Sequence, residues 1–207
     1  MAIKKYRTFV LLVFLGLVNL QFECNKKIGC AENVYSFELD IKAYPDKDSI
    51  NVGDTIWLEV NSPTTLKDFR SGSMVDYSGA KNLGTAIGIA ELISVNVTNT
   101  EGNSFFKYNI VTGTELPRSD SNRFREFNFA EVNQKYQFKL ALIPLKKGIF
   151  KLFISNAANV YRKNDGCTKA GFGISFKDTD QHFYFNEVSF PGIILSGQNG
   201  VYLFKVK

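Results

Sequence analysis

Histidine occurs once in this chain of 207 residues, tryptophan once, methionine twice and cysteine three times. Haem and zinc centres draw on several Cys and His ligands, and iron–sulfur clusters on four cysteinates, so this inventory excludes most of them. No apolar run reaches the roughly 20 residues that cross a bilayer as a helix, which excludes a polytopic helical membrane protein. Five prolines and 16 glycines without a repeat exclude a collagen-like chain, and 44% hydrophobic residues exclude a disordered one. There is no GxSxG elbow, no HExxH helix and no papain-like cysteine context, and nothing in the sequence names a cofactor. What remains is enough chain for one ordinary domain, rich in aromatics: 19 Phe and nine Tyr.

The formal charge is +5, and part of the excess sits at the start, in Lys4, Lys5 and Arg7. The apolar run Phe9–Val18 follows, FVLLVFLGLV. Its ten residues make about 15 Å of helix, half a bilayer core. A basic start, a short apolar stretch and a polar exit are the three parts of a secretory signal peptide, with residues 1–23 as the expected leader. Removing them leaves 184 residues and a charge of +3, too mild for nucleic acid, which usually meets a strong basic patch.

Two exits are open. Leu20-Gln21-Phe22-Glu23 ahead of Cys24 resembles the lipobox of bacterial lipoproteins, whose cysteine carries diacylglycerol, although Phe22 and Glu23 stand where that box has small residues. Gly29-Cys30-Ala31 is a small-x-small triplet suited to ordinary signal peptidase. With Cys24 lipidated, Cys30 and Cys167 remain as a pair in an oxidising compartment. The chain-entropy model gives such a long loop roughly 4–5 kcal/mol as an upper figure. The alternatives are a Cys24–Cys30 bridge, or one cysteine simply buried.

Beyond the leader, apolar residues recur with period two, the signature of half-buried strands. Tyr35, Phe37, Leu39 and Ile41 form one such face, and Ile56, Leu58 and Val60 another. Ile87 to Val97 is apolar and β-branched, and Phe105 to Val111 reads as its neighbour across the turn 99–103. Tyr136, Phe138, Leu140 and Leu142 face one way. Phe150, Leu152 and Ile154 do the same after Pro144-Leu145-Lys146-Lys147-Gly148, a hairpin-length connection. Phe172 to Phe176 and Val201 to Val206 complete the set. Helical signals are few: Thr64 or Thr65 is placed to cap a single turn through Phe69. The expected fold is all-β, an antiparallel β-sandwich of residues 24–207 with at most one or two short helical turns.

Val52-Gly53-Asp54-Thr55-Ile56-Trp57-Leu58-Glu59-Val60 resembles the early strand of bacterial immunoglobulin-like modules, where a Gly-Asp turn enters an alternating strand. Pro144 to Ile154 is similar to the late hairpin of those modules. The whole chain resembles the uncharacterised exported lipoproteins of Gram-negative bacteria. The resemblance implies an immunoglobulin-like sandwich in the periplasm or at the outer membrane. Fold alone implies no activity.

Few residues carry chemistry. Asp178, Asp180 and His182 share one face if extended, a set conceivable for a hydrolase or a metal; the plainer expectation is a polar strand end with a partly exposed imidazole. Asp46, Asp48, Asn51 and Asp54 cluster at one turn as calcium ligands do, but without EF-hand spacing. Glu115, Asp120 and Glu126, candidates for paired glycosidic carboxylates, sit among Arg118, Arg123 and Arg125 in what reads as a charged surface loop. Trp57 falls opposite Ile56, Leu58 and Val60, so it points outward, either to stack on a ligand or to lie under a covering loop. The expected protein is therefore an exported, envelope-associated, non-catalytic binding or structural module for a protein or glycan. Its contact with the membrane would run only through an N-terminal lipid anchor. The rival is a hydrolase built on Asp178, Asp180 and His182.

Overall fold

Alternation of apolar and polar residues builds the strands, and the computed structural model describes them over residues 33–117, 123–193, 195 and 198–207. In chain order they are β1 (Asn33–Asp40), β2 (Lys42–Tyr44), β3 (Ser49–Ile50), β4 (Ile56–Pro63), β5 (Thr65–Lys67) and β6 (Met74–Asp76). There follow β7 (Gly84–Ser94), β8 (Val97–Asn99), β9 (Phe106–Thr112), β10 (Thr114–Glu115), β11 (Phe124–Asn128) and β12 (Ala130–Val132). The last are β13 (Lys135–Pro144), β14 (Gly148–Ile154), β15 (Ala157–Arg162), β16 (Asp165–Ser175) and β17 (Val201–Val206). The helices among the described residues are two 3-10 segments, Gly102–Phe105 and Phe183–Val188. The fold is an all-β sandwich.

One sheet runs β12-β13-β4-β2, with β9 also on β13. The facing sheet runs β10-β11-β7-β14-β17-β3, with β8 on β7. Their inner faces supply the core: Ile56, Leu58, Val60, Phe138, Leu140 and Leu142 from one, Ile87, Ile89, Phe150, Leu152 and Phe204 from the other. Ring contacts cross the gap. Phe106 on β9 meets Phe150 on β14 edge-on at 5.0 Å, and Phe127 on β11 lies 5.6 Å from Phe138 on β13. A third sheet, β1-β16-β15, extends the core through Phe37 and Phe172, and Tyr136 reaches Phe172 from the first sheet. On the outer face of β7, β14 and β17, the segment around Phe183–Val188 covers a second cluster of Leu92, Leu195, Val201 and Leu203.

Three sequence expectations about partners are corrected. Pro144 to Gly148 does not close a hairpin. β13 pairs with β4 and β9, while β14 pairs with β7 and β17, so the connection crosses the sandwich. Phe105 to Val111 does not lie beside Ile87 to Val97. It enters as β9 on β13, and β7 turns instead into the short β8. Gly102 makes this crossing close, since a Cβ there would stand 2.6 Å from the Ile89 carbonyl oxygen. Finally, Thr65 starts a strand, not a helical turn: β5 pairs with β6. Alternation specifies which side of a strand is buried, and it is the same whether the next strand is a hairpin partner or the opposite layer.

Two pairings are parallel, β1 with β16 and β3 with β17, both between segments far apart in sequence. The outer edge of β1 is blocked. Asp68, itself buried, accepts from the Ser36 amide at 2.9 Å, and the Phe69 amide donates to the Ser36 carbonyl at 2.7 Å. The Ser36 bond first, then the Ser71 hydroxyl, hold the Asp68 carboxyl down to about 2.

Candidate functional site

Because Ile56, Leu58 and Val60 face the core, Trp57, Glu59 and Asn61 face outward. Register brings neighbours to them. Tyr44 on β2 stands opposite Trp57, Lys42 opposite Glu59, and Lys139 on β13 opposite Glu59 from the other side. The Tyr44 and Trp57 rings are near-parallel, 6.4 Å apart at 21°. Glu59 sits between two donors. The Tyr44 hydroxyl donates to its Oε2 at 2.5 Å, and the Lys139 ammonium lies 3.4 Å from the same oxygen. Lys139 Nζ also lies 5.2 Å from the Trp57 ring centre and 5.6 Å from that of Tyr44. Burial, then the bond to Glu59, raise the Tyr44 phenol above its ordinary value. The Tyr44 oxygen first, then the Glu59 charge, raise the Lys139 ammonium. Both groups therefore keep their protons at neutral pH.

Beside this ring pair lies a groove of ≈ 380 Å³ lined by Asp40, Lys42, Tyr44, Glu59, Asn61 and Ser62, ending at Pro63. That volume falls within the usual range for small-ligand clefts. Trp57 is half-buried beside Tyr44. No protein-family model matches the chain, and no curated protein does.

His182 is placed differently from expectation. It is 6% exposed and adopts a left-handed backbone, φ 48°. Its ring closes on β17, where Nδ1 lies 2.9 Å from the Leu203 carbonyl. A carbonyl only accepts, so Nδ1 carries the proton. Nε2 lies 3.9 Å from both Asp46 Oδ1 and Asp180 Oδ2. The Asp180 amide donates to Asp46, the His182 amide donates to Asp180, and the Tyr184 hydroxyl donates to Asp48. The cluster clasps the 45–48 turn and the 178–184 segment onto β17. It is buried because it ties three segments together, a long-range arrangement that local polarity does not reveal. Asp178 is not part of it and pairs with Lys42 at 3.6 Å. No hydroxyl or thiol is hydrogen-bonded to the His182 ring among the described residues.

The other candidates are also dispersed. Asp54 bonds Asn51 within its own turn, while Asp46 and Asp48 join the His182 clasp. Among the described residues no group of three or more His, Cys, Asp or Glu is arranged around a metal position. Glu115 takes a bidentate pair from Arg125 at 2.6 Å, and the Arg125 guanidinium covers the Tyr108 ring at 3.8 Å. Arg118 and Asp120 lie outside the described residues, as do the leader, Cys24 and Cys30. Cys167 is disulfide-bonded.

Sequence reasoning found Trp57 but not Tyr44 or Lys139. The signal for Lys139 was present, since it alternates with Phe138 and Leu140. Its meeting with Trp57 needs the β4–β13 pairing. Tyr44 reads as the edge of a turn because Pro45 follows it.

Proposed function

We infer that this chain is an exported, non-catalytic binding module of the bacterial envelope, with the Tyr44–Trp57 surface as its ligand contact. The observation that carries this reading is the half-buried Tyr44–Trp57 ring pair beside a groove, on paired strands. Rigid strands hold such a surface ready without an ordering cost at binding. Export rests on the basic start, the Phe9–Val18 run and the resemblance to lipoproteins with immunoglobulin-like sandwiches. Under it, residues 1–23 are removed and Cys24 is a candidate lipid anchor at the outer membrane.

The His182 cluster supports a structural part in this scheme. Its ring is hydrogen-bonded to a backbone carbonyl, and a general base needs a nucleophile within hydrogen-bond reach. The test compares three purified proteins, the wild type, Trp57→Ala and His182→Ala, immobilised and offered a solubilised envelope fraction from the native host. Wild type and folded His182→Ala are expected to retain the same material by mass spectrometry, and Trp57→Ala to lose at least ten-fold. Equal retention by Trp57→Ala, together with a turnover activity lost in His182→Ala, would overturn the reading.

A further inference from the structure

The geometry points to a neutral oligosaccharide as the occupant of the groove beside Tyr44 and Trp57; this deepens the binding-module reading and rests on it. Three features of the groove select that chemistry.

The first is charge. Asp40, Lys42 and Glu59 line the groove, and Lys139 lies behind Glu59. Each is already answered. Lys42 lies 3.6 Å from Asp178, Lys139 lies 3.4 Å from Glu59, and Asp40 accepts from the Lys177 amide at 2.9 Å. With the charges paired off, no excess of one sign is left to select an ionic ligand. A neutral ligand rich in hydroxyls meets them as they stand, because ionised carboxylates still have lone pairs to accept with and ammonium groups have further protons to give.

The second is shape. A pyranose ring has an apolar C–H face and a polar rim. The near-parallel Tyr44 and Trp57 rings, with Lys139 Nζ near both, form an aromatic end, and Glu59, Asn61 and Ser62 continue from Tyr44 as a polar rim. From Trp57 to Pro63 the strand runs six residues, about 20 Å. That is room for more than one sugar ring in line, with the aromatic end setting the register.

The third is what is missing for a protein partner. A stable protein interface buries around 800 Å² on each side around an apolar centre. Here Tyr44 and Pro63 are the apolar side chains of the groove, with Trp57 beside Tyr44, too few for such a centre.

Trp57 is the chain's one tryptophan and its ring lies 6.4 Å from that of Tyr44, which lines the groove, so its fluorescence reports on the groove's aromatic end. The protein would be titrated with maltohexaose, cellohexaose and chitohexaose, which cover α-glucan, β-glucan and amino-sugar backbones, and with polygalacturonate as the acidic comparison. At least one neutral oligosaccharide is expected to change Trp57 emission saturably, with the same affinity at low and high salt. Tyr44→Ala is expected to weaken it at least ten-fold, and Tyr44→Phe, which keeps the ring, less than Tyr44→Ala. His182→Asn serves as the control away from the groove and is expected to bind as wild type. Circular dichroism confirms that each variant is folded. No response to any neutral sugar, or a salt-sensitive response to polygalacturonate alone, overturns the inference. If the sugars fail but Trp57→Ala still releases envelope material in the retention experiment, the binding-module reading survives and only the ligand class is wrong. If both fail, both readings fall.

Discussion

Gly88 lies in the middle of β7, between Phe124 on β11 and Phe153 on β14. Those two rings meet over it edge to face, 5.4 Å apart at 75°. A Cβ at Gly88 would stand 2.2 Å from Phe153 Cε2 and 2.5 Å from its Cζ, distances no pair of carbons tolerates. Gly88→Ala must therefore swing the Phe153 ring away. Added carbon in a packed site costs about 1–3 kcal/mol, and losing the ring pair about 0.5–1.5 kcal/mol of that. Replacing glycine returns about 0.4–1 kcal/mol by restricting the unfolded chain. The net expectation is a loss of about 1–2 kcal/mol. With an m-value of about 2 kcal/mol per molar urea, the unfolding midpoint falls by about 0.5–1 M. Phe153→Ala destabilises alone, but it vacates the space the new methyl needs. The double variant should therefore be more stable than the sum of the two losses predicts, by about 1 kcal/mol or more. Independent sites add within about 0.3–0.5 kcal/mol, so the coupling is resolvable. Urea titrations of all four proteins, followed by circular dichroism and Trp57 fluorescence, supply the cycle. Strict additivity, or a stabilising Gly88→Ala, would mean that Phe153 does not cover Gly88 and that β14 is not paired with β7.

Tyr136 donates its buried hydroxyl to the Tyr77 carbonyl, and Tyr77 in turn donates to the Val160 carbonyl at 2.7 Å. Tyr136→Phe strips that carbonyl of a donor and should cost about 1–3 kcal/mol in the same urea assay. The Asp68 carboxyl is held at about 2 against an ordinary 3.8, so it contributes stability above 3.8 that is lost as pH falls through about 2. The wild-type urea midpoint should therefore drop more steeply between pH 4 and pH 2 than that of Asp68→Asn; parallel curves would refute the assignment. Cys167 is disulfide-bonded, and Thr168, next to it, pairs with Asn33, only three residues after Cys30. Three residues reach about 10 Å, so a non-reducing digest is expected to keep the Cys30 and Cys167 peptides linked, and a Cys24–Cys167 peptide would show otherwise.

Much of the fold was legible because strand faces are a local property. Alternation at Phe37, Leu39, Ile56, Leu58, Phe138, Leu140, Phe150 and Leu152 assigns the buried side of each strand, and every one of these residues is buried. The outward direction of Trp57 follows from the same period of two. Partners are not a local property. The 144–148 connection has hairpin length, yet it carries the chain across the core, because β7 and β17 offered β14 its edges while β4 and β9 took those of β13. Thr65 to Lys67 had a helix cap before them and became a strand because β6 lay ready to pair. His182 follows the polar stretch Asp178-Thr179-Asp180-Gln181 and is buried, because Leu203 and Asp46 reach it from distant stretches of chain. The candidate site divides the same way. Trp57 was readable from its own strand, whereas Tyr44 and Lys139 reach it only through pairings across 13 and 82 residues, which the burial of whole strands selects and no short pattern encodes.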